Sequence, residues 1–173
     1  MTRVQVLELA QARTLRDDPA TFFQRYGLEV ATGYLAFPDA LDAIVQELEA
    51  GQPPEWSSYL IIDEEISTVV GLGGYKGPPR EGVVEIGYSV APTHRGRGHA
   101  TRAVSSWVER AAALGVRTVL AHTLAEANPS TRVLQRCGFE HTAVRPDVNL
   151  GSLWVWRLDL AAAPTEPERS AST

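Results

Sequence analysis

The chain has 173 residues, 44% of them hydrophobic and 21% charged, with a formal charge of −5. This is the balance of one globular domain with an ordinary core, and its acidity argues against general binding to nucleic acid or to an anionic membrane. The lone Cys137 excludes an internal disulfide framework and suits a reducing cytoplasm, where we expect the protein to reside.

Residues 1–16 are interrupted by Arg3, Glu8 and Arg13, so no signal-peptide apolar core is expected. No apolar run reaches the roughly 18 residues that a membrane span needs. Residues 4–9 predict a first strand, and residues 13–26 and 38–49 predict helices, the second with Leu41, Ile44, Val45 and Leu48 at helical spacing. Residues 57–62 and 67–75 are apolar runs around the polar turn Asp63-Glu64-Glu65, which predicts an antiparallel hairpin. After the loop Lys76-Gly77-Pro78-Pro79, residues 83–90 read as a strand.

The next nine residues, His94-Arg95-Gly96-Arg97-Gly98-His99-Ala100-Thr101-Arg102, hold three arginines, two histidines and two glycines, and no acid stands between Glu85 and Glu109. They open an amphipathic helix reaching about Leu114, with Ala100, Ala103, Val104, Trp107, Val108 and Ala111 on one face and Gly115 as its stop. Glycines let main-chain N–H groups approach an anion, and a helix N-terminus carries partial positive charge. A strand, a basic glycine loop and a helix start in that order read as a diphosphate cradle. A dinucleotide-binding fold fits less well. Its third glycine is replaced by Thr101, and the following strand, residues 116–122, offers His122 where an acid would hold a ribose.

Asn128-Pro129 predicts another helix start, with an N-cap residue and a proline at the first helical position. Val133, Leu134 and Cys137 give that helix a buried stripe, so Cys137 reads as core packing and not as a nucleophile. Residues 139–144 and 153–158 predict a closing pair of strands, with Trp154 and Trp156 assigned to the core by default. Residues 161–173, rich in Ala, Pro, Glu, Ser and Thr, are expected to be a disordered tail after a single domain over 1–160.

Three segments in order resemble the GNAT superfamily of acyl-CoA N-acyltransferases, closest to its RimJ/RimL-like branch. Arg95-Gly96-Arg97-Gly98-His99-Ala100 satisfies the Gln/Arg-x-x-Gly-x-Gly/Ala signature, the strand Val84 to Val90 precedes it, and Asn128-Pro129-Ser130 leads to Gly138-Phe139. The resemblance covers residues 83–139 strongly and implies an α/β (α+β) fold: a central mixed, mostly antiparallel sheet with helices on both faces. It implies acetyl-CoA as co-substrate with no metal, an amine acceptor, and no nucleic-acid or membrane partner; a homodimer is compatible with it. By that resemblance the cofactor-binding residues are Arg95, Gly96, Arg97, Gly98, His99, Ala100 and Thr101 in the cradle, the backbone of Ser89 and Val90, and the side chains of Asn128 and Ser130. Two positions depart from the family pattern. Leu134 replaces a tyrosine able to protonate the leaving thiolate, and Thr101 replaces a glutamate.

Glu85 is the expected general base, since an alkyl ammonium must lose a proton before its nitrogen attacks a thioester. Ser130 is the remaining hydroxyl for the coenzyme sulfur, as a binding group more than an essential acid. Tyr26, Tyr34 and Phe37 fall in the region that covers the acceptor site in this superfamily. Two other classes stay open at this point: a non-catalytic acyl-CoA sensor, favoured by Leu134, and a nucleotide-dependent oxidoreductase.

Overall fold

Strands apolar at every position must be covered on both sides, and the central hairpin of this chain obeys that rule. The computed structural model describes residues 1–161. In chain order it contains β1 (Thr2–Val6), α1 (Leu9–Asp17), α2 (Phe22–Tyr26), β2 (Glu29–Val30), α3 (Ala40–Glu49), β3 (Ser58–Asp63), β4 (Thr68–Tyr75), β5 (Val83–Val90), α4 (His99–Ala113), β6 (Thr118–Leu124), α5 (Pro129–Arg136), β7 (Glu140–Asp147) and β8 (Gly151–Asp159). The strands form one sheet in the order β1-β3-β4-β5-β6-β8-β7, with β2 beside β4. Only β5–β6 and β2–β4 are parallel.

Alternation along β3 divides the core in two. Tyr59 and Ile61 face α4 and α5, packing with Val104, Trp107, Ala111 and Leu134, while Leu60 and Ile62 face α1 and α3, packing with Ala12, Leu15, Leu41, Ile44 and Val45. Each such fully buried large side chain stabilises the fold by about 1.5–3 kcal/mol. A Cβ on Gly73 would lie 2.7 Å from the Trp107 ring and 2.6 Å from the Gly87 carbonyl, so glycine there lets α4 and β5 both close on β4.

Several boundaries differ from the sequence expectation for identifiable reasons. The helix expected over 13–26 breaks at Asp18 (φ −150°, ψ 64°), because Pro19 lacks an N–H and excludes the helical region for its predecessor. The chain instead starts α1 at Leu9, behind a reciprocal cap between Glu8 and Gln11, and β1 ends at Val6. The two-residue β2 exists only through its pairing with β4. Strands β7 and β8 extend further than their apolar cores, with Pro146 tolerated because β7 is the edge strand. Of the expected disordered tail, residues 162–173 lie outside the described residues.

One irregularity positions the site. The parallel ladder between β5 and β6 covers only Val83–Ile86 against Thr118–Ala121. Beyond it β5 stays with β4 up to Val90, and β6 stays with β8 up to Leu124. The two strands therefore part at their C-terminal ends, the side on which open α/β sheets bind ligands.

Candidate active site

The helix α4 starts without a side-chain cap. Gly98 is its N-cap residue, at φ 82°, and there is no acid in the first turn. The first intrahelical bond from beyond that turn is Arg102 N–H to Gly98 O at 3.0 Å. The N–H groups of His99, Ala100 and Thr101 consequently have no helical acceptor. Gly96 also has positive φ (74°), and a Cβ on either glycine would meet nothing within 4 Å. The loop is thus an open concavity of main-chain donors, the geometry that suits a phosphate. Arg97 and Arg102 are exposed beside it.

Not every side chain of the basic segment faces that concavity. The Arg95 guanidinium turns back, its Nε donating to the Val90 carbonyl at 3.2 Å. The His99 ring is buried (6% exposed) under the start of α4, with Nδ1 2.8 Å from the Thr2 hydroxyl and Nε2 3.4 Å from Asp63 Oδ2. Burial lowers the His99 pKa, opposed in part by Asp63, so the ring is held neutral. For His99 only the main chain is left to serve an anion, whereas the two terminal nitrogens of the exposed Arg95 guanidinium have no partner among the described residues.

Main-chain alternation determines what β5 offers to the gap. Glu85 O accepts Lys76 N–H on the β4 side, and Ala91 N–H donates to Val70 O in β4. By period two, Gly87 and Ser89 also turn their amides and carbonyls to β4, while Tyr88 and Val90 turn theirs to the gap. The expectation of a Ser89 main-chain contact therefore passes to Tyr88. The Ser89 hydroxyl instead accepts Ala36 N–H at 3.0 Å and fastens the 31–39 segment over the strand end. Gly87 is half-buried and the β4 ladder runs through it without a shift, so it makes no bulge.

Glu85 sits one residue before the ladder ends and His122 is the first residue beyond it. The two are in contact, with His122 Nδ1 2.9 Å from Glu85 Oε1, and the same oxygen accepts Lys76 Nζ at 2.6 Å. Burial raises the Glu85 pKa, but Lys76 and then His122 outweigh it and hold the carboxyl below its ordinary range. An ionised carboxylate accepts only, so in the neutral form of the ring Nδ1 carries the proton and Nε2 the lone pair. His122 Nε2 has no hydrogen-bond partner among the described residues, yet is not sealed from solvent. Sequence inspection missed this pair: the partners are 37 residues apart and meet only through the β5–β6 register.

The start of α5 is closed on itself. Asn128 Oδ1 accepts Thr131 N–H at 3.0 Å, and Thr131 Oγ1 accepts Asn128 N–H at 3.0 Å. Ser130 is half-buried on the first turn, and its carbonyl accepts the Tyr88 hydroxyl at 3.0 Å, which ties α5 to β5 across the gap. Burial raises the Tyr88 pKa strongly, so this phenol stays protonated. Leu134 is fully buried in the core. Cys137 is half-buried against Ser105, and burial raises its thiol pKa. Trp156 is buried, its Nε1 donating to Thr123 Oγ1, whereas Trp154 is half-buried and stacks on His141 at 4.7 Å. No described helix is long and apolar enough to cross a membrane.

A strand pair that parts beside an uncapped helix start matches known proteins in both sequence and fold. Residues 8–140 match the acetyltransferase (GNAT) domain. The chain belongs to the GNAT family. Comparison with curated proteins finds no significant match. Among solved structures, the ribosomal-protein-S5-alanine acetyltransferase of Vibrio fischeri superposes with a TM-score of 0.64 at 16% identity, over 91% of this chain and 92% of its own. A phosphinothricin acetyltransferase of Sinorhizobium meliloti in complex with acetyl-CoA gives 0.65 at 18% identity, over 98% and 94%. RimL, a ribosomal alpha-N-protein acetyltransferase in complex with coenzyme A, gives 0.67 at 12% identity, over 92% and 94%. Membership of the GNAT family and the GNAT fold are thus found as expected. The protein is an acetyl-CoA-dependent N-acetyltransferase.

Proposed function

We propose that this GNAT enzyme acetylates a primary amine, on a small molecule or a protein N-terminus, by direct attack within a ternary complex in the cytoplasm. The observation carrying this reading is the coincidence of the open N–H concavity at residues 96–101 with the β5–β6 gap that starts at Ile86 and Ala121. The diphosphate lies on the amides of Gly96 to Thr101, with Arg97 supplying charge-assisted bonds. The pantetheine arm runs along the gap, pairing with the free main-chain groups of Tyr88, the Val90 carbonyl being held by Arg95. Val90 N–H faces the developing oxyanion.

The amine loses its proton at the Glu85–His122 pair and its nitrogen attacks the thioester carbon. The C–S bond breaks as the carbonyl re-forms. Ser130, held at the α5 end of the gap by the Tyr88 bond, is the hydroxyl assigned to the leaving sulfur. A thiol with an ordinary pKa near ~8.5 leaves without a strong acid, so Leu134 in place of a tyrosine does not stop turnover. Most of the acceleration comes from holding amine and thioester together.

Calorimetry with acetyl-CoA, followed by thiol release with a panel of amines and amino-terminal peptides, tests the reading. Saturable binding with acceptor-dependent release is expected. Binding without release from any acceptor would instead favour the acyl-CoA sensor.

A further inference from the structure

We infer that the atom taking the proton from the acceptor amine is His122 Nε2, and that Glu85 is a positioning residue which holds the imidazole by its other nitrogen. The inference rests on the acetyl-transfer reading above and assigns its proton.

Three observations carry it. Glu85 Oε1 is already engaged by Lys76 Nζ at 2.6 Å and His122 Nδ1 at 2.9 Å, and two cationic or donor partners make a carboxylate a weaker base. The bond to Nδ1 fixes the tautomer and leaves the Nε2 lone pair without a partner among the described residues. Finally, His122 is the first β6 residue past the Ile86–Ala121 end of the ladder, so the ring stands where the two strands part. A structural ion pair would need none of this placement. It would be as stable further down the ladder, away from the point where the strands part. The imidazole is mostly buried, its side chain 12% exposed.

The charged groups around the pair are Glu85 of β5, Lys76 from the turn after β4, and Arg157 of β8, which lies opposite Leu120 on the same side of the sheet as His122 and is itself paired with Asp159. The step balances as follows. The ammonium gives one proton to Nε2, forming an imidazolium that is neutralised by Glu85. The freed nitrogen pair forms the N–C bond, and the C–S pair leaves with sulfur. The second nitrogen proton goes to the thiolate, and the imidazolium returns its proton to solvent.

The experiment compares wild type, His122→Gln and Glu85→Gln for acetyl-CoA affinity by calorimetry and for kcat/KM against pH from 5.5 to 9.5. We expect His122→Gln to bind acetyl-CoA within about threefold of wild type, to lose about 100-fold or more in kcat, and to lose the acidic limb of the profile, in line with the usual contribution of a general base. Glu85→Gln should lose about tenfold in kcat and keep an acidic limb, because the imidazole is still present but less well held. A His122→Gln enzyme within about threefold of wild-type kcat and with an unchanged limb overturns the proposal while leaving acetyl transfer intact. So does a Glu85→Gln enzyme more damaged than His122→Gln and without the limb, which returns the base to the carboxylate. Wild-type protein that binds acetyl-CoA but acetylates no amine removes the underlying reading, and the proposal with it.

Discussion

Two helix starts flank the β5–β6 gap, and they are built in opposite ways. At α5, Asn128 and Thr131 satisfy each other's main-chain N–H groups and Pro129 has none, so only the Ser130 N–H is left over in that first turn. At α4, Gly98 supplies no side chain and Gly96 keeps the approach open, so the donors are left over. A capped start uses its own donors; an uncapped one beside a gap keeps them to spare. The difference teaches that the same sequence signal, a turn residue ahead of an amphipathic run, separates into two roles according to whether the side chains can close the turn themselves.

The largest test of this contrast uses two glycines of identical geometry. Gly98 and Gly115 both have φ 82° and nothing within 4 Å of a Cβ, one at the open start of α4 and the other just after its end. Valine at either should cost stability by about 1–2 kcal/mol, the strain of a left-handed L-residue. Only Gly98→Val should also weaken acetyl-CoA, by about tenfold or more in calorimetric Kd. Equal affinities for the two variants would break the contrast.

Asn128→Ala probes the closed start. We expect a loss of about 1 kcal/mol in denaturant unfolding, the value of an N-cap, with acetyl-CoA affinity within about threefold. A large affinity loss at unchanged stability would make α5 a second binding surface.

A smaller effect belongs to the ring beneath α4. The His99 pKa lies below the ordinary imidazole value of 6.5 because burial disfavours the imidazolium. As pH falls through that value the unfolded chain takes up a proton that the folded chain refuses, so stability falls toward acid. Urea midpoints at pH 7.5 and 5.5 should show this slope, and it should be shallower in His99→Gln. The smallest effect is ionic: raising salt from about 0.05 to 0.2 M should weaken acetyl-CoA binding a few-fold by screening the exposed arginines. It should leave the Asn128→Ala stability change untouched.

What the sequence made legible was local. The basic loop, the amphipathic stripe of α4, its glycine stop and the Asn-Pro start of α5 are all encoded within a few neighbours, and each lies where it was expected. Pro19 was equally visible, yet its break was overlooked because apolar spacing continues through it to Tyr26. The two-residue β2 has no signal of its own. Register was the deeper obstacle. Which face and which main-chain groups of β5 meet the gap depends on pairings with β4 and β6, so Tyr88 stood behind Ser89 and His122 behind Glu85. His99 illustrates the same limit from the other side: it lies within the motif, yet its ring belongs to the core.

That ring ties the glycine turn at the start of α4 to Thr2, on a strand almost a hundred positions earlier in the chain. Trimming β1, or fusing a tag directly ahead of it, should disturb the main-chain donors through the Thr2–His99 bond alone. Affinities measured on proteins tagged at opposite ends should therefore be treated as those of different reagents.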